Sequence, residues 1–278
     1  MGKNIYTGVG GTARKVKKIY LGVGDKARKV KKIYIGVEGA ARQCWASAFD
    51  FSYTGNYKFS GNPDGDWAIS FLSSGTLTIR SAPTPIDVFC CAGGLSGGNG
   101  SDWNGYGGTH YDGGNGGRGG KCNTITGVKI TEGSQNITVG GAGADSSAFG
   151  VSANAGSHGA AAGGVHREFD GTSGGAGDYA FYESTFAAPS FGAGYRFGAG
   201  GGGGASGWRK DSGEEPHGSP GYGGASGGGT GAQYYAGSGY AKSGAANSGG
   251  GGGGGCGPYH PNGAGGGSGV VIIRNARK

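Results

Sequence analysis

Gly265-Gly-Gly-Ser-Gly-Val-Val-Ile-Ile-Arg274 is where a long glycine run ends in a strand. Val270 to Ile273 is an apolar run of strand length, too short to span a membrane, and a strand so apolar needs a sheet to enter. The nearest partners lie far upstream, within residues 51–92. There Phe51, Tyr53, Tyr57 and Phe59, then Trp67, Ile69 and Phe71, then Leu77 and Ile79, then Ile86, Val88 and Phe89 read as four alternating β segments. Turn signals fall at Thr54-Gly-Asn, Asn62-Pro-Asp-Gly, Ser73-Ser-Gly and Ala82-Pro-Thr-Pro. Glycine runs begin at Gly93 and pause for Ile125 to Thr131, a Glu132-Gly-Ser turn and Asn136 to Val139, which read together as a hairpin. They resume from Gly140 to Gly269. This order reads as a β-sandwich over 46–278 with glycine-rich insertions at about 93–121 and 140–269 that loop out and return. A flexible tail has no such return.

Glycine supplies 74 of 278 residues, several times the usual share of about 7%. Collagen requires glycine at every third position with abundant proline, and here the runs are irregular with 8 prolines. A disordered linker is the default for aperiodic glycine, but such chains lack the 11% aromatic residues and the strong β segments found here. An ordered alternative remains: extended left-handed chains with three residues per turn, as in polyglycine II, pack side by side with no side chain to hold them apart. With hydrophobic residues at 35%, many of them alanine, such a fold leans on backbone hydrogen bonds, each worth about 1 kcal/mol net. The expected class is all-β with little or no α-helix: N-terminal β-hairpin repeats, then a β-sandwich with an inserted polyglycine-II helix bundle.

Residues 1–45 form a separate unit. Ile5-Tyr6-Thr7-Gly8-Val9, Ile19-Tyr20-Leu21-Gly22-Val23 and Ile33-Tyr34-Ile35-Gly36-Val37 recur every 14 residues, alternating with Ala13-Arg-Lys-Val-Lys-Lys18 and its copy at 27–32. Gly10-Gly11, Gly24-Asp25 and Glu38-Gly39 sit where a two-residue turn belongs. Each copy reads as a short β-hairpin, too small to fold alone, so copies must stack on each other or on a partner. Residues 1–42 carry a net charge of +9, so the rest of the chain, at −2, is near neutral. Lys15, Lys17, Lys18, Lys29, Lys31 and Lys32 are the candidate attachment residues. Clustered basic residues also mark nucleic-acid surfaces, but a solvated strand face that resists edge aggregation, or a protein-docking face, fits better. No nucleic-acid partner and no membrane insertion are therefore expected. The N-terminus lacks the apolar region of a signal peptide, so synthesis in a cytosol is expected. Cys44, Cys90, Cys91, Cys122 and Cys256 are odd in number and lack CxxC spacing, which reads as free thiols.

Catalytic motifs fail for want of context. GxSxG occurs at Gly94–Gly98, Gly171–Gly175 and Gly224–Gly228, but a nucleophile elbow needs a strand-turn-helix setting. His110, His158, His166, His217 and His260 show no metal-ligand spacing, and Asp64 with Asp66 or Glu214 with Glu215 read as solvated loop charges. No enzyme activity, cofactor or metal is expected. What remains is binding, which concentrates on loops held by a rigid scaffold, with Tyr and Trp supplying contact area at low entropic cost. Four aromatic segments interrupt the glycine: 102–112, 166–197, 208–222 and 256–262. Their candidate receptor-binding residues are Trp103, Tyr106, His110, Tyr111, Tyr182, Trp208, Tyr222, Tyr259 and His260. The same residues would equally serve to seal the glycine segments against water, and both uses stay open.

Two features resemble known families. The 14-residue repeat resembles short N-terminal repeats of minor structural proteins of tailed phages. Ile86-Asp-Val-Phe, Ile137-Thr-Val-Gly-Gly-Ala-Gly, Ser146-Ser-Ala-Phe-Gly and Ser268-Gly-Val-Val-Ile-Ile-Arg resemble the glycine-rich C-terminal domain of phage fibre proteins. The arrangement is also similar to the glycine-rich extracellular domain of anaplastic lymphoma kinase, where polyglycine-II helices are inserted in a β-sandwich. The phage resemblance implies a virion appendage, a tail fibre or tail tip, docked to other virion proteins through residues 1–45. It further implies a host cell-surface glycan or protein as ligand, and a homo-oligomer with three copies as the working expectation. A purely structural virion protein, such as a head fibre or decoration protein without receptor binding, is the alternative.

Overall fold

The structure is a computed structural model. It describes residues 49–275 except 62–65, 82–84, 106–107, 156–172, 175–177, 180–194, 214–216, 235–238 and 258, together with 6–9, 12–16, 19–23, 25–30, 32–37 and 40–46. Among the described residues there is no helix, and every regular element is a β-strand. The chain is all-β.

In the N-terminal part, Tyr6–Val9 pairs antiparallel with Thr12–Lys15, Ile19–Val23 with Lys26–Val30, and Lys32–Val37 with Ala40–Ala46. The innermost pairs are Val9 with Thr12, Val23 with Lys26, and Val37 with Ala40, which leaves two residues between the strands each time. The three pairs are separate two-stranded sheets.

Two larger sheets build the core. One has the order Gly133–Ile137, Gly75–Ser81, Asp50–Tyr53; the other has the order Cys122–Val128, Ile86–Cys91, Val270–Asn275, Trp67–Phe71, Tyr57–Gly61. The final strand thus takes the centre of the five-stranded sheet, antiparallel to Ile86–Cys91 on one side and Trp67–Phe71 on the other. Its unbroken apolar run follows from this position, because both faces of the sheet are covered. Val271 and Ile273 join Ile69, Phe71, Val88 and Cys90 in the core shared with Leu77, Ile79 and Ile137 of the facing sheet. Val270 and Ile272 join Phe89, Cys91 and Phe197 on the opposite side. Phe49 closes one end of the shared core by stacking on Trp67 at 4.5 Å.

The expected hairpin at 125–139 is not one. Cys122–Val128 pairs with Ile86–Cys91 in the larger sheet, while Gly133–Ile137 pairs with Gly75–Ser81 in the smaller. Both sheets had an edge to fill at this point, and crossing between them satisfies two edges where a local hairpin would satisfy neither. Ile130, buried between the two strands, anchors the crossing. A register shift opposite Ile86 and Val88 leaves Gly127 at φ +71°, with its N–H donated to Asp87 Oδ1 at 3.0 Å. The other Asp87 oxygen accepts from Arg274 Nε at 2.9 Å in a buried ion pair.

The glycine-rich segments extend the larger sheet. Ile86–Cys91 runs on into 92–100, 113–121 leads into Cys122–Val128, and 260–269 leads into Val270–Asn275. Segment 92–100 keeps the same two neighbours. Ala92, Leu95 and Gly98 donate N–H to the carbonyls of Lys121, Arg118 and Asn115; Gly94, Gly97 and Gly100 donate to Gly267, Ala264 and Pro261, all at 2.7–3.0 Å. Bonds to a given neighbour now recur every third residue, where those of an antiparallel strand recur every second.

Segment 249–257 lies innermost and is buried throughout. From Gly251 to Gly255 its N–H groups go to three segments: Gly251 and Gly254 to Ala199 and Gly202, Gly252 and Gly255 to Leu95 and Gly98, and Gly253 to Lys242. Its carbonyls accept from three others: Gly255, Gly252 and Gly249 from Gly114, Gly117 and Gly120; Gly251 and Gly254 from Gly229 and Ala232; Gly250 and Gly253 from Gly267 and Ala264. A Cβ on any of Gly250 to Gly255 would meet a neighbouring carbonyl oxygen well inside 3.0 Å. Only glycine permits six backbones to approach this closely. The outer segment 113–121 is periodic, contrary to the irregular reading of the runs: Asn115 and Arg118 are exposed while Gly114, Gly116, Gly117, Gly119 and Gly120 are buried.

Candidate functional site

Where segments 92–100, 113–121 and 198–206 end, away from the two core sheets, a three-stranded sheet forms in the order Ser101–Gly105, Gly108–Asp112, Gly207–Lys210. Its strands alternate faces. On the inner face Tyr111, 9% exposed, packs with Ala205, Ala232, Tyr234 and Cys256. Tyr234, 2% exposed, meets Tyr111 edge-on at 5.9 Å and Tyr259 edge-on at 6.2 Å, and lies parallel to His217 at 5.3 Å. Its ring fills the space that a side chain at Gly207 would occupy. Burial pushes the Cys256 thiol up to about 12, so it stays protonated at physiological pH.

On the outer face Trp103 pairs with His110 across the strands, and the rings stack at 4.2 Å and 9°. Trp103 donates its indole N–H to Asp112 Oδ2 at 3.2 Å and remains 50% exposed. Thr109 Oγ1 donates to Asn104 Oδ1 at 2.8 Å in the next register row. Trp208 occupies the register position opposite His110 on the third strand. Beside the sheet, His260 is buried and contacts the exposed ring of Tyr240 at 4.2 Å, while its backbone exchanges two hydrogen bonds with Cys256 at 2.7 and 2.9 Å.

A sequence model of the glycine-rich domain family matches residues 71–276. The chain belongs to this family. No curated protein and no solved structure matches it. The glycine-rich domain so defined begins at the end of Trp67–Phe71 and runs through Val270–Asn275. It therefore includes the last strand together with every glycine-rich segment.

Within the glycine-rich domain, five of the nine candidate residues converge on this end: Trp103, His110, Tyr111, Tyr259 and His260, with Trp208 adjoining them by register. They divide by burial. Tyr111 and His260 line the interior, whereas Trp103 and Tyr259, at 50% and 45%, face outward. Tyr222, 73% exposed, stands apart on the flank, where its backbone bonds to Ser173 Oγ and the Gly174 N–H. Tyr106 and Tyr182 lie outside the described residues. Of the attachment candidates, Lys15 is opposite Tyr6, Lys29 opposite Tyr20 and Lys32 opposite Ala46, and Lys17, Lys18 and Lys31 lie outside the described residues. Sequence reasoning missed Tyr234 and Tyr240. Their signal was available: Gln233-Tyr-Tyr and Gly239-Tyr form a further aromatic interruption of the glycine text. Among the described residues no group of three or more His, Cys, Asp or Glu is placed to hold a metal.

Proposed function

We propose that the chain is a phage virion appendage protein, a tail fibre or tail-tip component, whose glycine-rich domain is a polyglycine-II bundle that displays a host-binding surface at its far end. Residues 1–45 dock it to other virion proteins, and the outer aromatic face contacts a host cell-surface glycan or protein. The bundle reading is supported by the three-residue spacing of the hydrogen bonds and by the six neighbours around segment 249–257. At about 3.1 Å rise per residue, a nine-residue segment carries the aromatic end roughly 28 Å from the core sheets. The observation that carries the binding reading is Trp103. An indole half exposed to solvent, yet fixed by a stacked histidine and a carboxylate, is a preorganised contact residue that loses little entropy on binding.

A structural virion protein without a receptor is the second reading, favoured by the burial of Tyr111, Tyr234 and His260, which seal the end of the bundle. Particles carrying Trp103→Ala and Tyr259→Ala separate the two. Under the binding reading, adsorption to host cells falls at least tenfold while the amount of protein per particle is unchanged. Unchanged adsorption refutes it. Immunogold labelling of particles tests the appendage reading independently, and absence of label from any particle sinks it.

A further inference from the structure

Ile86–Cys91 and Cys122–Val128 are antiparallel neighbours, and their register sets Cys91 directly opposite Cys122. The next pair outward, Ala92 with Lys121, is hydrogen-bonded, with the Ala92 N–H donated to the Lys121 carbonyl at 3.0 Å. Hydrogen-bonded and non-hydrogen-bonded pairs alternate along an antiparallel ladder, so Cys91 and Cys122 are a non-hydrogen-bonded pair, whose Cα atoms lie about 4.5 Å apart. That separation falls inside the range of about 4.4–6.8 Å spanned by disulfides. Directly opposed residues also share a face, and both side chains pack into the cluster of Phe89, Phe197, Val270 and Ile272. A Cβ at Gly249 would meet Cys91 Sγ, and one at Gly198 would stand 3.4 Å from Cys122 Sγ, so both sulfurs border on residues without side chains.

Cys90 and Cys256 are excluded by place. Cys90 points to the opposite face, into the core between the two sheets, and Cys256 sits at the far end of the glycine-rich segments. Cys91 is fully buried, whereas Cys122 is half-buried on an edge strand, where a small reagent can reach it.

We propose that Cys91 and Cys122, neither of them disulfide-bonded in this structure, are a paired oxidation site that closes as a cross-strand disulfide when the protein meets a low-molecular-weight disulfide outside a reducing cytosol. The Cys122 thiolate attacks one sulfur of the small disulfide, forming a mixed disulfide and expelling one small thiolate. The Cys91 thiolate then attacks Cys122 Sγ, forming the Cys91–Cys122 bond and expelling the second. The two protein thiols give up two protons and two electrons, and the small disulfide is reduced to two thiols. The bridge would tie off residues 92–121 as a closed loop. That loop contains two glycine-rich segments and the hairpin bearing Trp103 and His110, so it would staple the seam where the two-residue ladder of the sheet gives way to the three-residue spacing of the glycine.

The test uses the full chain, purified reduced, incubated with oxidised glutathione, alkylated and digested without reductant. Peptide mass spectrometry is expected to find one cross-link, joining Cys91 to Cys122 within a single chain and retaining no glutathione. Thermal unfolding of the oxidised protein should shift up by about 5–10 °C, reversibly with dithiothreitol. Cys122→Ser should lose both effects and Cys256→Ser neither. Recovery of both thiols as alkylated, a stable glutathione adduct on Cys122, or a bridge from Cys122 to another cysteine or another chain would each overturn the assignment. A correct cross-link with no thermal shift would overturn the staple.

Discussion

Replacing Gly252 by alanine directs a methyl carbon at the Ala264 carbonyl, with the Ala264 carbonyl carbon at 2.7 Å and the Gly265 oxygen at 2.6 Å. All are backbone atoms, so no rotamer change relieves the clash, and segment 260–269 must retreat by about an ångström. Of the bonds that hold it to segment 249–257, the two that flank the clash are Ala264 N–H to the Gly253 carbonyl at 2.9 Å and Gly267 N–H to the Gly250 carbonyl at 2.7 Å. Stretched beyond useful range, each leaves buried polar groups unmatched at about 1–3 kcal/mol, a loss of about 2–6 kcal/mol. That is a large part of the roughly 5–15 kcal/mol that stabilises a typical fold. Gly265 is the control. It is exposed, lies outside the left-handed region, and has no atom within 4 Å of the position a Cβ would take. Gly265→Ala should therefore be neutral or add about 0.4–1 kcal/mol by restricting the unfolded chain. Thermal unfolding followed by tryptophan fluorescence should place Gly252→Ala on the order of 10 °C below the parent and Gly265→Ala at or slightly above it. Equal melting temperatures for the two variants would refute close backbone packing as the reason for the glycine.

Asp87→Ala removes the carboxylate that pairs with the largely buried Arg274 and accepts from the Gly127 N–H, and should cost about 3–5 kcal/mol in denaturant unfolding. Adding Arg274→Met should restore most of it. Asn247 adopts φ +57° and its amide donates to the Leu72 and Gly269 carbonyls at 2.8 and 3.0 Å, tying glycine-rich segment to sheet. Asn247→Gly keeps the backbone and should still lose about 2–3 kcal/mol, read as a lower denaturant midpoint. Burial raises the Cys90 and Cys256 thiols from 9.0 to about 12. The unfolded chain therefore ionises first as pH rises, so stability is full below pH 9 and declines between about 9 and 12. Denaturant midpoints across that window should fall, and Cys90→Ala with Cys256→Ala should flatten the decline.

The sequence alone determined the class and the return of the chain. Val270 to Ile273 is too apolar for a surface strand, and a strand must be paired, so the glycine had to lie between elements of one sheet system. Seven consecutive glycines, Gly249 to Gly255, and the three-residue beat of Asn115, Arg118 and Lys121 carried more than composition: the purest run is the innermost segment and the spaced side chains mark an outer one. Clustering of aromatic residues in the interruptions was legible too. Only the tertiary structure decided the partners. Ile125 to Thr131 and Asn136 to Val139 looked like a hairpin because a local turn signal separates them, but sheet edges far away in sequence competed for the strands that form there, Cys122–Val128 and Gly133–Ile137, and won. Which aromatics face outward was equally hidden. Trp103 and Tyr111 stand eight residues apart in similar text, and strand alternation, together with Tyr234 arriving from a distant segment, buries one and leaves the other in solvent. Residue type sets what a side chain can do, but pairing of non-local backbones sets where it points.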